Sequence, residues 1–129
     1  MNVREIPRSQ WPAYFHQFSR AHRAWLATVD RDGATTDRIE GIAHPLRSIT
    51  PFVHNNRVVH IDIRFQDDAP GGEPLRIQAP ISVRVEETTE GIAQGIEVVD
   101  DKGITTRLRF RATARPEMLD GVAPGEISP

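Results

Sequence analysis

The chain has 129 residues, with 16 basic and 18 acidic side chains, a net charge of −2 and no cysteine. We expect one domain with its own hydrophobic core, and the lack of cysteine excludes disulfides, thiolate catalysis and sulfur-ligated metals. The balanced charge provides no basic field for nucleic acid or an anionic membrane. No apolar run is long enough to span a bilayer or to form the core of a signal peptide, so we expect a cytoplasmic protein that does not contact membranes.

The first predicted element is a helix of about ten to thirteen residues near the N-terminus. Ser9 is a favourable N-cap, and Pro12 lies in the first turn, where its missing N–H costs nothing. Aromatic side chains recur at the spacing of one helix face, at Trp11, Tyr14, Phe15, Phe18 and His22. Such a stripe is typical of a packing face, so we expect it to cover a sheet.

After the helix, the spacing of apolar residues changes to two, which predicts β-strands. The predicted strands cover residues 25–29, 38–44, 46–53, 57–65, 75–87, 91–100 and 103–112. Asp30–Gly33 and His54–Asn56 are predicted turns, the latter because asparagine tolerates left-handed backbone angles. Pro45 is expected to interrupt a strand, and the proline- and glycine-rich segment 66–74 is predicted to be a surface loop.

Six or seven short strands joined mostly by tight turns indicate a mainly β fold. The strands are apolar on one face, which must be buried by curling or by a covering element. We therefore predict a curved antiparallel meander sheet, or a partly closed small barrel, with the N-terminal helix packed on it. The single domain would span residues 1–129, with one helical turn over 116–121 and frayed ends at 1–5 and 122–129.

Two segments resemble the opening and closing signatures of a family of small bacterial proteins of unknown function. They are Ile6-Pro7-Arg8-Ser9-Gln10-Trp11 and Pro116-Glu117-Met118-Leu119-Asp120-Gly121. The resemblance implies a small, single-domain, cytoplasmic bacterial protein. It implies no activity and therefore supplies no catalytic residue, cofactor or partner.

The first candidate site is a pair on one strand, His60 and Asp62. Alternate residues share a strand face, so the imidazole and the carboxylate would lie about 7 Å apart, within reach of one metal ion. His44 and His54 could add ligands if their strands are neighbours. The alternative is a solvated polar strand face, and the closer histidine spacings that mark metal sites are absent. We therefore expect no metal and no cofactor.

The second candidate site is an arginine ladder, Arg107, Arg109 and Arg111, on one face of the last strand. Three guanidinium groups could bind phosphates or a partner rich in carboxylates. The alternative is cross-strand ion pairing, with Glu97 as the first expected partner. The net acidity and the few aromatic residues expected at the surface argue against a platform for single-stranded nucleic acid.

No glycine-rich phosphate loop and no Gly-x-Ser-x-Gly elbow occurs in the chain. Without a catalytic set, we favour a non-catalytic binding or accessory module that contacts a partner protein or a second copy of itself. One alternative is a metal-dependent or acid–base enzyme that uses His60 and Asp62. Another is a phosphate or nucleic-acid binder that uses the arginine ladder, and of these partners nucleic acid is disfavoured.

Overall fold

The computed structural model describes residues 2–31 and 43–111. They form one eight-stranded antiparallel sheet and an N-terminal helix, which confirms the predicted mainly β fold with eight strands rather than six or seven. The strands are β1 (Asn2–Glu5), β2 (Leu26–Arg31), β3 (His44–His54), β4 (Arg57–Phe65), β5 (Leu75–Gln78), β6 (Pro80–Glu87), β7 (Ala93–Asp100) and β8 (Thr105–Phe110). The helix α1 (Trp11–Ala21) follows a 3-10 turn, Arg8–Gln10. No helix in these ranges has the length and apolar character needed to cross a membrane.

The strand order is β1-β6-β7-β8-β2-β3-β4-β5, which is two meanders joined where β8 pairs with β2. β5 and β6 are far apart in this order, yet only Ala79 separates them in the sequence. The sheet must therefore curl until its β5 edge approaches β6. The N–H of Asp101 donates a hydrogen bond to the carbonyl of Ala79 at 3.0 Å across this junction. Within the described ranges the edge strands β1 and β5 share no ladder, so the sheet is curved and open rather than a closed barrel.

Two positions change the predicted strand boundaries. Pro45 does not interrupt a strand, since β3 continues through it. Pro45 lies just past the end of the β4 ladder, where Leu46 is opposite Phe65, so its missing N–H removes no ladder bond. The strand predicted over 75–87 is instead divided at Ala79, whose φ of 49° is left-handed.

The N-terminal segment also differs from the prediction. Residues 2–5 were expected to be frayed, but they form β1 and pair with β6 at the sheet edge. Ser9 is not the helix N-cap, because it lies inside the 3-10 turn and α1 begins at Trp11. Pro12 lies in the first turn of α1, as predicted.

Several predicted features lie outside the described residues. They are residues 32–33 of the first predicted turn, most of the strand predicted over 38–44, the helical turn over 116–121 and the frayed end over 122–129. The first half of that turn, Asp30 and Arg31, belongs to β2 rather than to a turn.

The aromatic stripe of α1 packs against the sheet, as its spacing predicts. Trp11, Phe15 and Phe18 are buried, while Tyr14 and His22 are partly buried. Nε1 of Trp11 donates to a backbone carbonyl at 2.8 Å, so its polar atom is satisfied. The sheet contributes buried residues Leu46, Ile49, Ile61, Ile63, Phe65, Ile77, Val83, Val85, Ile96, Val98 and Leu108.

Helix α1 also replaces a missing strand beside β3. The described β2–β3 ladder reaches only His44 and Pro45 on β3, so the backbone of Ile49 faces none of the described strands on that side. The buried hydroxyl of Ser19 accepts a hydrogen bond from the Ile49 N–H at 2.8 Å and donates one to the Ile49 carbonyl at 3.1 Å. One serine therefore satisfies both backbone groups and aligns α1 along this edge of β3.

Candidate functional site

His60 and Asp62 lie side by side on the outer face of β4, as their spacing predicts. Nε2 of His60 is 3.8 Å from Oδ1 of Asp62. The ring of Phe52 stacks on the imidazole with a centroid distance of 4.9 Å and an interplanar angle of 1°. The imidazole therefore lies against an aromatic ring and next to a carboxylate, and only 16% of the His60 side chain is exposed.

The Asp62 carboxylate is already bound by Arg76 on β5. Nε of Arg76 donates to Oδ1 at 2.8 Å and Nη2 donates to Oδ2 at 3.1 Å, which is a bidentate pair. These hydrogen bonds hold the pKa of Asp62 below its ordinary value, although burial opposes the shift. At neutral pH the carboxylate is therefore ionised and hydrogen-bonded to Arg76, so it is poorly suited to act as a general acid.

The pair of Asp62 and Arg76 predicts that stability depends on pH. A carboxylate with a lowered pKa in the folded state contributes stability above its unfolded pKa, and this contribution is lost as the pH falls through the folded pKa. Arg76→Ala should bring the folded pKa back toward the unfolded value. In urea melts, the variant should be less stable than the wild type at about pH 7, and the difference should shrink below about pH 3.

Arg47→Ala is the matched control for this measurement, since Arg47 is an exposed arginine on β3. It should show no comparable change in stability between the two pH values. If Arg76→Ala lost the same stability at both, Arg76 would act through packing rather than through the charge of Asp62. An NMR titration of the Asp62 carboxyl in both proteins would report the pKa directly.

His44, the third metal candidate, lies at the other end of β3. Phe52 is opposite His60, and His44 lies eight positions before Phe52, which corresponds to about 27 Å along an extended strand. Nδ1 of His44 is 2.7 Å from Oδ2 of Asp67, and its buried Nε2 has no hydrogen-bond partner in the described part of the chain. The three candidate ligands do not converge, and no three His, Asp or Glu residues within 2–31 and 43–111 could hold an ion together.

The first residue of the arginine ladder is held by carboxylates. Nε of Arg107 donates to Oε2 of Glu97 at 3.2 Å, and Nη1 of Arg107 is 3.7 Å from Oδ2 of Asp30. Oε1 of Glu97 is also 3.8 Å from Nη1 of Arg84. The predicted pairing of Arg107 with Glu97 is confirmed, and such partly exposed pairs contribute about 0.2–1 kcal/mol each.

The other two ladder arginines differ from Arg107. The register partners of Arg109 are Thr28 and Gly95, neither of which carries a charge. Among the residues that the structure describes, neither Arg109 nor Arg111 forms an ion pair. The ladder therefore lies along β8 as a partly neutralised row, and none of its three residues lines either of the two cavities described below.

Three exposed apolar side chains lie at the turn end of the β3–β4 hairpin, and the sequence did not predict their exposure. They are Phe52, which stacks on His60, Val53, which lies near the start of α1, and Val59; each is at least 37% exposed, and we call this end of the hairpin the hairpin surface. The two strands are joined by Asn55 and Asn56, both with positive φ, so this end of the hairpin is a tight two-residue turn. Three of the seven exposed large apolar side chains in the described ranges therefore lie within one hairpin end.

Register shifts in β4 and β6 turn two apolar side chains outward, and one of them belongs to the hairpin surface. Strict alternation along β4 would place Val59 on the core face with Ile61 and Ile63, but the ladder shifts register beside it, and the bulged residue turns outward. Alternation along β6 would place Ile81 on the core face with Val83 and Val85, yet it lies at a shift between Pro80 and Ser82 and is 44% exposed. Strict alternation of apolar residues does not reveal where a strand is bulged, so only the pairing of the strands shows these orientations.

A cavity of about 260 Å³ lies beside the hairpin surface, between the hairpin turn and the start of α1. Its walls include four apolar residues and two arginines, Trp11, Pro12, Val53, Val58, Arg8 and Arg57. Among residues 2–31 and 43–111, no carboxylate lines it. We call this cavity the basic cleft.

The position of Arg8 in the basic cleft is set by two contacts. Its Nη2 donates to the carbonyl of Ile81 at 3.2 Å, and its Cζ lies 5.6 Å from the centre of the Trp11 ring. Within the described ranges neither Arg8 nor Arg57 forms an ion pair. The cleft therefore keeps two positive charges that no carboxylate in the described part of the chain neutralises.

A second cavity, of about 500 Å³, lies near the opposite end of β3. Arg23, Arg47, Ser48 and Gln66 line it, so none of these lining residues is hydrophobic. It lacks the combination of apolar and cationic groups that the basic cleft offers. The hairpin surface and the basic cleft together are therefore the candidate site.

The described residues form a curled antiparallel sheet, and a single N-terminal helix covers it along one strand edge. The chain belongs to the family of unknown function DUF5335, whose family model matches residues 2–120. No curated protein and no solved structure gives a significant match. The predicted membership of a family of unknown function is confirmed, and the family description specifies no activity, substrate or partner.

Proposed function

We propose that the protein is a non-catalytic binding module that docks a partner protein on the hairpin surface. The observation that carries this proposal is the clustering of Phe52, Val53 and Val59 in exposed positions beside the basic cleft. Single exposed apolar side chains are common on soluble proteins, whereas a cluster with a polar rim is typical of a protein-interaction site.

The state of the candidate catalytic groups supports binding over catalysis. Asp62 is held by Arg76, and the His60 ring is stacked on Phe52, so both groups are engaged by protein side chains. Arg107 is likewise engaged by Glu97, which lowers its value as a phosphate ligand. The hairpin surface, by contrast, presents three exposed apolar side chains at one end of a hairpin.

The charge beside the hairpin surface favours a different protein over a second copy of this chain. A symmetric dimer brings the same patch of both subunits together. Such a dimer would place Arg8 and Arg57 of one copy close to the same residues of the other, and like charges across an interface are unfavourable. The proposed partner is therefore a different chain that carries negative charge.

A random-peptide phage library, selected on the immobilised full-length protein, tests the proposal. Peptides recovered from the selection should bind the wild type and lose about tenfold or more in affinity on the double variant Phe52→Ser/Val59→Ser. The matched control is Leu26→Ser/Ile92→Ser, which removes two exposed apolar side chains outside the β3–β4 hairpin. The control should bind the same peptides as the wild type does.

Two results would contradict the proposal. One is recovery of no peptide that prefers the wild type over the double variant, and the other is an equal loss of binding on the control. Analytical ultracentrifugation tests whether a second copy of this chain is the partner instead. If the wild type were a dimer and Phe52→Ser/Val59→Ser a monomer, the hairpin surface would be a self-association site, and the proposed binding of a different protein would be wrong.

A further inference from the structure

We infer that the basic cleft binds an acidic peptide segment of the partner, which seats an apolar side chain in the cleft and places a carboxylate on Arg57. This inference rests on the proposed function and names the chemistry of the partner. Three features of the cleft support it: its size and walls, its charge and the backbone groups of β3 that face it.

The size of the cleft suits a side chain better than a cofactor. Pockets for small molecules measure roughly 300–1,000 Å³, and the basic cleft measures about 260 Å³. Its apolar walls come from elements that are fixed by the core, since Trp11 is buried at the start of α1 and Val58 packs against the core from β4. The cleft is therefore a preformed binding pocket for one apolar side chain.

The positive charge of the cleft favours a peptide in which an acidic residue lies next to that apolar side chain. Arg57 is exposed at the hairpin turn and Arg8 is held on the opposite side by Ile81 and Trp11. A guanidinium group has five N–H donors, and in the described part of the chain Arg8 uses one of them. A carboxylate that enters between these two arginines would gain charge-assisted hydrogen bonds, which are about twice as strong as neutral ones.

The backbone of β3 offers further hydrogen bonds to a peptide. Alternation along a strand directs the N–H and the carbonyl of Val53 away from β4, in the same direction as those of Ile49. Ser19 satisfies the groups of Ile49, whereas no described residue bonds those of Val53. Val53 also lines the cleft, so a bound segment can pair its own backbone with Val53.

Two labelled, terminally blocked peptides test the inference by fluorescence anisotropy. One alternates leucine and glutamate, and the other has glutamine in place of each glutamate. The glutamate peptide should bind the wild type about tenfold or more tightly than the glutamine peptide does, and higher salt should weaken its binding. Arg57→Glu should reduce its affinity by about tenfold or more.

Arg109→Glu is the matched control, because Arg109 is also an exposed strand arginine without an ion pair among the described residues. It changes the net charge by the same amount and should leave the affinity for the glutamate peptide close to that of the wild type. An equal loss on both variants would show a general field effect and overturn the inference. So would equal binding of the two peptides, or no binding of the glutamate peptide.

The two proposals can fail separately. Library peptides that lack acidic residues, and that lose binding on Phe52→Ser/Val59→Ser but not on Arg57→Glu, would support the proposed function and overturn the acidic segment. Library peptides that bind Phe52→Ser/Val59→Ser as tightly as the wild type would overturn the proposed function. Circular dichroism of every variant would show that lost binding does not come from lost folding.

Discussion

Phe15→Ala should lower the free energy of unfolding by about 3–5 kcal/mol, the usual cost of truncating a buried phenylalanine. Phe15 is completely buried in the stripe that joins α1 to the sheet, and its ring packs edge-on against Tyr14 at a centroid distance of 5.8 Å. The variant would lose the transfer energy of the ring and leave a cavity under the helix. A urea melt of both proteins measures the difference.

Gln17→Ala is the matched control on the same helix, because Gln17 is exposed. Its effect on stability should lie within about 0.5 kcal/mol of zero. If Phe15→Ala also cost less than about 1 kcal/mol, the stripe would not be part of the core. If the variant does not fold well enough for a melt, Phe15→Leu should fold and give a smaller loss in the same direction.

Ser19→Ala should cost about 2–4 kcal/mol, although it removes a single oxygen atom. The hydroxyl bonds both the N–H and the carbonyl of Ile49, and each buried backbone group left without a partner costs about 1–3 kcal/mol. The loss should appear in a urea melt. Hydrogen exchange offers a local readout, because the Ile49 amide should lose protection more than its neighbours do.

Arg20→Ala controls for the neighbouring helix position, since Arg20 is exposed and forms no ion pair among the described residues. It should leave the protection of the Ile49 amide close to the wild-type value. A Ser19→Ala protein with unchanged stability and unchanged Ile49 exchange would show that α1 does not depend on this contact to stay aligned with β3.

The helix and most strands could be predicted because their signals are local. The spacing of Trp11, Phe15 and Phe18 predicts a buried helix face, and all three side chains are buried. The strand over 57–65 was predicted with its observed bounds, since polar and apolar residues alternate through it and an asparagine turn precedes it. Such patterns depend only on how side chains point along one element.

The long-range pairs were only partly predictable. Glu97 and Arg107 flank one hairpin, so their contact follows from the turn between β7 and β8, and it is observed. The bond between Asp62 and Arg76 was not predicted, because it requires β5 to pair with β4 after a loop of nine residues that does not specify the register. The same holds for Ser19, whose partner Ile49 lies thirty residues away.

The sequence by itself determined the class of fold: a sheet with one apolar face and an aromatic helix to cover it. Those features follow from side-chain periodicity, which each segment carries without reference to the others. Only the tertiary structure decided the strand order, the open curl of the sheet and the site at the β3–β4 hairpin. Bulges turn Val59 and Ile81 outward, and packing of α1 beside Val53 forms the basic cleft. Both depend on which strands and helices become neighbours, and that is settled by the total burial of the folded chain rather than by any local pattern.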